Sequence, residues 1–367
     1  MARGTLGVEE EYQLIDAETG ELRPVNDIVL DAAAPALGEN VHPELLRCQV
    51  EVSTPVCSSL GELDTSLRQL RRRLNQAAER YGCRLGAAGT HPTADWQRQE
   101  VTPSERYLEM AGEFQQIALE TLICGCHVHV GIEDPDLRIT VMNRIRPWLP
   151  TLLALSTNSP FWAGRDTGYA SYRTMVFRRW PTTGMPSYFA DAAEYDLVLA
   201  AMVDAEIVED ATHLYWDVRP SARFPTLEVR IADVCLTVDE AVTLAGLVRA
   251  MATTASFVEP SDREVRGEVL EGAVWRAARH GLSERLVDLS VGRLRRADDA
   301  VDRLLGTLRP ALEEAGDWNR VADGVKEIVA GGSGAARQRA VYRRAGSLRA
   351  VTDYITEQTA SGTAPSS

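Results

Sequence analysis

Two short strings hold the residue types that do chemistry. GVEEEY near the start carries Glu9 and Glu11 with one residue between them, and GCHVHVG carries His127 and His129 at the same spacing. A period of two is that of a strand, whose alternate side chains point to opposite faces. Glu9 and Glu11 therefore share a face with Thr5 and Gly7, while Leu6, Val8, Tyr12 and Leu14 share the other. Glu10 falls among these apolar residues as a charge the alternation does not explain. In TLICGCHVHVGI the histidines are framed on their face by Gly125 and Gly131, which leaves room for something large to approach the backbone. Cys124 and Cys126 take the opposite face, so a Cys/His zinc site is geometrically poor there. LRCQVEVS sets Arg47, Gln49 and Glu51 against Leu46, Cys48, Val50 and Val52. FPTLEVRIAD sets Thr226, Glu228 and Arg230 against Leu227, Val229 and Ile231, and LYWDVRPS sets Asp217 and Arg219 against Leu214, Trp216 and Val218.

A solvated sheet face is the plain explanation of such alternation. Solvated faces, however, mix Thr, Ser, Lys and Gln, whereas these concentrate Glu, His, Asp and Arg. Clustered carboxylates repel one another unless cations intervene. Glu9, Glu11, Glu51 and Glu228 with one histidine make an oxygen-rich set suited to Mg²⁺ or Mn²⁺ rather than zinc. The arginines beside them suit bidentate grips on phosphate oxygens. Hard cations and arginine forks on one face point to nucleotide phosphates and to phosphoryl transfer. GxxxxGK[ST], HExxH and GxSxG are all absent, and GGSGAAR at 331–337 follows a helix and reads as a turn. His42, His91, His213 and His280 carry no comparable pattern.

Positioning such a face takes strands at 5–15, 45–53, 83–89, 121–132, 213–219 and 225–232. Leu60, Leu63, Leu67, Leu70, Leu74, Ala77 and Tyr81 recur at helical spacing, with Ser59 and Glu62 as a capping box and Gly82 at the end. Thr102 and Glu105 open a second helix, 136–156 an apolar third, and Thr237 and Glu240 another. The segment 158–190, rich in Trp, Tyr, Arg and Gly, is expected to be irregular and to close over the site as a lid. Four or five amphipathic helices follow from 262 to about 358, and 359–367 reads as a disordered tail. With no linker or internal repeat, 1–358 is expected to be a single α+β domain with a helical C-terminal layer.

Composition narrows the partners. Of 39 basic residues 38 are arginine, so Lys326 is the sole candidate for lysine chemistry, and it lies in an ordinary amphipathic stretch. A formal charge of −14 argues against nucleic acid and anionic membrane. No apolar run is long enough to span a bilayer, and the six cysteines, mostly inside apolar runs, read as reduced core residues of a cytoplasmic protein.

Taken together, TLGVEEEYQL, GTHPTADWQRQEV with SERY, GCHVHVGI, LALSTNSPFWAGRDTGYASYR, WDVRPS and LEVRIADVCLT resemble the glutamate–cysteine ligase 2 family, the YbdK-type carboxylate–amine ligases, over about 5–348. The resemblance implies an antiparallel sheet funnel with helices on its outer face, like the catalytic domain of glutamine synthetase. It implies ATP and Mg²⁺ or Mn²⁺, small-molecule carboxylate and amine substrates, and a homodimer. The implied reaction joins the glutamate γ-carboxylate to cysteine, with weak activity, through an acyl phosphate. Carried over, the metal ligands fall on Glu9, Glu11, Glu44, Glu51, His127 and Glu228, and Arg219 and Arg230 take the phosphates and the catalytic role. Glu44 and Glu51 are seven apart and so on opposite faces of a regular strand, which requires Glu44 to reach in from the preceding turn or across a bulge. Thr90, Trp96, His129 and Arg173 are the expected substrate contacts. The competing readings are a ligase for another carboxylate and amine, a phosphotransferase of the same fold, a metal-dependent amidase, and a non-catalytic sensor.

Overall fold

The computed structural model describes residues 4–257 and 265–363, in which eleven strands and fourteen helices alternate. Strands β1 (Leu6–Asp16), β2 (Val41–Pro43), β3 (Gln49–Ser53), β4 (Cys83–Gly86), β5 (Gly125–Gly131), β8 (Val218–Pro220) and β9 (Thr226–Asp233) build one sheet. The pairs β6–β7 (Phe161–Trp162, Arg165–Asp166) and β10–β11 (Leu286–Asp288, Arg293–Arg295) are small hairpins. The helices are α1 (Asn26–Leu37), α2 (Leu60–Glu79), α3 (Glu105–Phe114), α4 (Gln116–Leu119), α5 (Pro135–Ile145), α6 (Leu149–Ser156) and α7 (Tyr172–Phe177). They continue with α8 (Ala192–Asp204), α9 (Val238–Phe257), α10 (Gly267–His280), α11 (Ala297–Ala315), α12 (Trp318–Gly331), α13 (Gly334–Ala345) and α14 (Leu348–Ala360).

The sheet order is β2-β3-β1-β5-β9-β8, with β4 on the far end of β1, and every pairing is antiparallel. Its apolar face is the one alternation predicts. Leu6, Val8, Val128, Val130, Leu227 and Val229 pack with Leu60, Leu63 and Leu67 of α2 and with α9, whose inward side then meets α11 and α12. Tyr12, Leu14, Val50 and Val52 pack with Leu70 and Leu74 one to two turns further along α2. This face also accounts for Glu10. Its carboxylate, fully buried, takes the Arg71 guanidinium of α2 and the Tyr12 hydroxyl, and Arg71 also donates to the carbonyls of Leu236 and Cys235. All six cysteines are buried free thiols.

Several boundaries differ from expectation for identifiable reasons. The strand at 45–53 starts only at Gln49, because the backbone of Leu46 and Arg47 bonds instead to residues 100 and 101. Ser104, not Thr102, caps α3, and the Thr102 hydroxyl donates to the Glu44 carbonyl. The apolar stretch 136–156 breaks at Arg146–Trp148, where Pro147 has no N–H to continue an α-helix. The strand at 213–219 shrinks to Val218–Pro220. In GGSGAAR only the first residues turn, since α13 begins at Gly334. Five helices, α10–α14, form the C-terminal layer, with 262–264 outside the described residues. The expected tail is ordered at its start: the buried Thr359 hydroxyl accepts from Ala87 N–H, and Arg68 and Arg72 hold the carbonyls of Gly362 and Thr363. Residues 364–367 lie outside the described residues.

Candidate active site

The register of the sheet assembles the polar face. Glu9 of β1 stands opposite His127 of β5, Glu11 opposite Glu51 of β3, and Gly7 opposite His129. On the other side of β5, His129 stands opposite Glu228 of β9, and Glu228 opposite Arg219 of β8. Eight residues singled out by alternation thus meet on one surface across five strands.

Side-chain geometry follows. His127 Nδ1 lies 3.1 Å from Glu9 Oε2 and 3.9 Å from Glu228 Oε1, and its Nε2 lies 3.6 Å from Glu11 Oε1. His129 Nε2 lies 3.5 Å from Glu9 Oε1, and its Nδ1 pairs with the Thr226 hydroxyl at 2.9 Å. Glu11 accepts the Gly125 N–H at 2.6 Å. Glu44 sits in the turn after β2 and reaches in from it, joining Glu11 and Glu51. Three groups each present ligand atoms within 4.8 Å of one another: Glu9, His129 and Glu228; Glu9, Glu51 and His127; Glu11, Glu44 and Glu51.

Electrostatics divide the face. Burial pushes the Glu44 carboxyl up to about 7, with the Glu11 charge adding to it. Burial, followed by the charges of Glu9, Glu44 and Glu11, raises Glu51 well above the carboxylate range. Burial opposes ionisation of Glu9 too, but hydrogen bonds from His127 and His129 outweigh it and hold Glu9 well below its ordinary value. Glu228 is likewise held low against burial, by Arg230 and then Arg219. Arg219 Nε donates to Glu228 Oε2 at 2.9 Å, and Arg230 pairs with Oε1. One end is therefore cation-balanced and the other, around Glu44 and Glu51, is short of positive charge.

The chain's similarity to known proteins bears on this surface. The family model described as "Glutamate-cysteine ligase family 2(GCS2)" matches residues 5–354. The chain belongs to this family. A Salinispora arenicola protein named "Putative glutamate--cysteine ligase 2" is 46% identical over 98% of this chain and 96% of its own length. One of the same name from Paracoccus denitrificans is 41% identical over 93% and 91%. Among solved structures, a glutamate–cysteine ligase from Francisella tularensis in complex with AMP aligns with TM-score 0.72 at 12% identity, over 100% of this chain and 91% of that one. A bifunctional glutathione synthetase from Pasteurella multocida aligns with TM-score 0.73 at 15% identity, over 98% and 52%. At such identities the two structures establish the fold, an α+β ligase architecture with helices on an antiparallel sheet.

For a family member, the remaining expected residues fall unevenly. Arg173 is buried against the polar face at Gly125, where a Cβ would collide with its guanidinium. Thr90 is built into the scaffold, its hydroxyl donating to the Phe161 carbonyl at 2.7 Å. Trp96 is half-buried in the turn Trp96–Arg98, and the hydrogen bonds of Thr90 run to the scaffold rather than to the carboxylates. The space beside the histidines is partly taken: Arg173 fills it at Gly125 and the Thr5 hydroxyl at Gly131. The segment 158–190 is tied to β9 near its start, where the Ser159 and Ser171 hydroxyls each donate to Asp233 at 2.7 Å. Asp233 escaped the alternation argument because β9 carries a bulge. Val128 pairs with Val229 but Cys126 with Ala232, so one extra residue switches the faces and sets Asp233 opposite Gly125. Only the break in the polar–apolar rhythm after Arg230 hints at it.

Proposed function

We propose that the chain is an ATP-dependent carboxylate–amine ligase that activates the γ-carboxylate of glutamate as an acyl phosphate and joins it to the amine of cysteine. The observation that carries this reading is the overlap of three oxygen-rich ligand groups beside two arginines on one sheet face. Burial and the neighbouring carboxylates raise Glu44 and Glu51, which a divalent cation would lower again, and an oxygen set with one or two imidazoles suits Mg²⁺ or Mn²⁺. Glu9, Glu11, Glu44, Glu51, His127 and Glu228 would hold such ions, which supply charge neutralisation for the phosphoryl group.

The chain's own residues do the rest. Arg219 and Arg230 are locked on Glu228 until an incoming phosphate offers them better acceptors, an exchange that frees Glu228 as a ligand. A hydrogen bond with His127 at 3.1 Å and the approach of His129 Nε2 to 3.5 Å fix the Glu9 carboxylate, so its orientation is set before substrate arrives. The reaction would require water to be kept from the acyl phosphate, since water competes with the amine for it. Among the described residues no helix is long and apolar enough to cross a membrane, and the reading places a homodimer in the cytoplasm with small-molecule partners alone.

The test is ADP release from ATP, Mg²⁺ and glutamate with and without cysteine, followed by mass analysis. Amine-dependent release, with a product one water lighter than glutamate plus cysteine, is the expected result. ADP release that yields no amide with any amine tested would instead make the chain a phosphotransferase.

A further inference from the structure

Beside the Glu44 end of the polar face stands a wall of aromatic side chains. Tyr215, in the approach to β8, packs with Leu45, Leu46 and Trp180, and the partly buried Tyr107 and Phe177 join the same cluster. Its ring stands edge-on to Trp180 at 5.2 Å and to Phe177 at 6.1 Å. Only 8% of Tyr215 is exposed, yet its hydroxyl has no hydrogen-bond partner. A buried phenol left unpaired is costly unless a ligand arrives to complete it. Burial raises this hydroxyl above its ordinary value, although the charges of Arg230, Arg106 and Arg219 pull the other way. It therefore keeps its proton and is a donor, standing between the two phosphate arginines and Arg106.

Arg106 supplies the second group. It lies in the first turn of α3, and that turn is stitched to the segment carrying Glu44. The Thr102 hydroxyl donates to the Glu44 carbonyl, the Thr102 N–H to the Leu45 carbonyl at 2.9 Å, and the Tyr107 hydroxyl to the Pro43 carbonyl at 2.8 Å. The root of Arg106 is thus fixed while its side chain is exposed. Its charge is felt by Glu44, Tyr107 and Tyr215 alike, yet among the described residues no carboxylate comes within ion-pair distance of it. A guanidinium without an anion and a phenolic donor without an acceptor, side by side, are complementary to a carboxylate.

We propose that Arg106 and the Tyr215 hydroxyl bind the α-carboxylate of the amine substrate, so that the second substrate is an amino acid rather than a simple amine. The proposal rests on the ligase reading and adds the subsite of the attacking amine. A carboxylate is favoured over an ATP phosphate because Arg219 and Arg230 already stand at the opposite, Glu228 end of the face. Place also favours the amine substrate over glutamate. An α-amino acid carries its nitrogen on the carbon next to its carboxylate. Held by that carboxylate at Arg106 and Tyr215, it turns the nitrogen toward the phosphate arginines, where the acyl phosphate forms.

The experiment compares cysteine with cysteamine, the same amine without the carboxylate, in steady-state ligation by the full chain, Tyr215→Phe and Arg106→Gln. The wild type is expected to favour cysteine in kcat/KM by about 100-fold or more. Tyr215→Phe keeps the ring and its packing and is expected to raise KM for cysteine about 10-fold, and Arg106→Gln by about 10- to 100-fold. Cysteamine kinetics and the KM values for ATP and glutamate are expected to stay within about twofold in both variants. If Tyr215→Phe fails to fold, the exposed Arg106→Gln carries the test. A rise in KM for glutamate instead would assign the pair to the other amino acid, and a rise in KM for ATP would assign it to a phosphate; either overturns the proposal. Equal losses with cysteine and cysteamine, or losses with neither, overturn it as well. A wild type that forms no amide with cysteine would be a failure of the ligase reading, distinct from an active wild type whose kinetics both variants reproduce.

Discussion

Glu10 and Glu11 are neighbours on β1, yet the two faces of the sheet treat their carboxylates in opposite ways. Glu10 meets a fully buried arginine, a tyrosine hydroxyl and, through Arg71, two backbone carbonyls, so every charge on that side has its partner inside the protein. Glu11 meets Glu44 and Glu51, a histidine at 3.6 Å and one backbone N–H. One side is a closed ion pair; the other gathers more carboxylates than cations, with Arg219 and Arg230 held at the Glu228 end. A closed pair fixes the docking of α2 on β1, and an open cluster waits for something from solution.

The largest expected effect lies on the closed side. Arg71→Met leaves Glu10 buried without a cation and should cost about 3–5 kcal/mol of folding stability in urea unfolding. Pairing it with Glu10→Leu should recover most of that loss, and a double variant as unstable as the single would contradict the closed-pair account. On the open side the sign reverses. Glu11→Gln keeps an acceptor for Gly125 N–H but removes a charge, so turnover should fall on the order of 10³-fold with stability unchanged or slightly higher. Loss of stability together with activity would mean that Glu11 belongs to the scaffold.

The smallest effect is a pH dependence of the metal-free protein. Glu44 titrates at about 7 folded against 4.5 ordinarily, because of burial and then the Glu11 charge. The folded state therefore binds that proton more tightly, so the contribution is complete below pH 4.5 and fades as pH rises through 7. Partial exposure of Glu44 keeps the effect modest. In EDTA the melting temperature should decline across that window in the wild type and less so in Glu44→Gln. An equal decline in both would remove Glu44 as its source.

Strand alternation made most of this site legible, because the first half of β1, β5 and the first half of β9 alternate residue types with a period of two that carries Glu9, Glu11, His127, His129 and Glu228 with it. Glu44 was placed by resemblance and by the argument that seven residues is an odd interval, and it does reach in from a turn. What stayed hidden depends on tertiary contacts that no local pattern encodes. The partner of Glu10 lies 61 residues away on α2. Asp233 changed faces through a bulge that only the pairing of β9 with β5 reveals. Helix α1 escaped notice, since Asn26–Leu37 is rich in alanine with Pro35 inside it and shows no clean apolar stripe. The helical core needed less, as Ser59 and Thr237 cap α2 and α9 where the capping boxes predict.

The most direct test of the open-face account is a calorimetric Mn²⁺ titration of the wild-type chain, Glu11→Gln and Glu44→Gln, with melting temperatures recorded alongside. The account predicts saturable binding by the wild type, weakened at least about tenfold in both variants with no loss of melting temperature. Identical isotherms for all three proteins would contradict it.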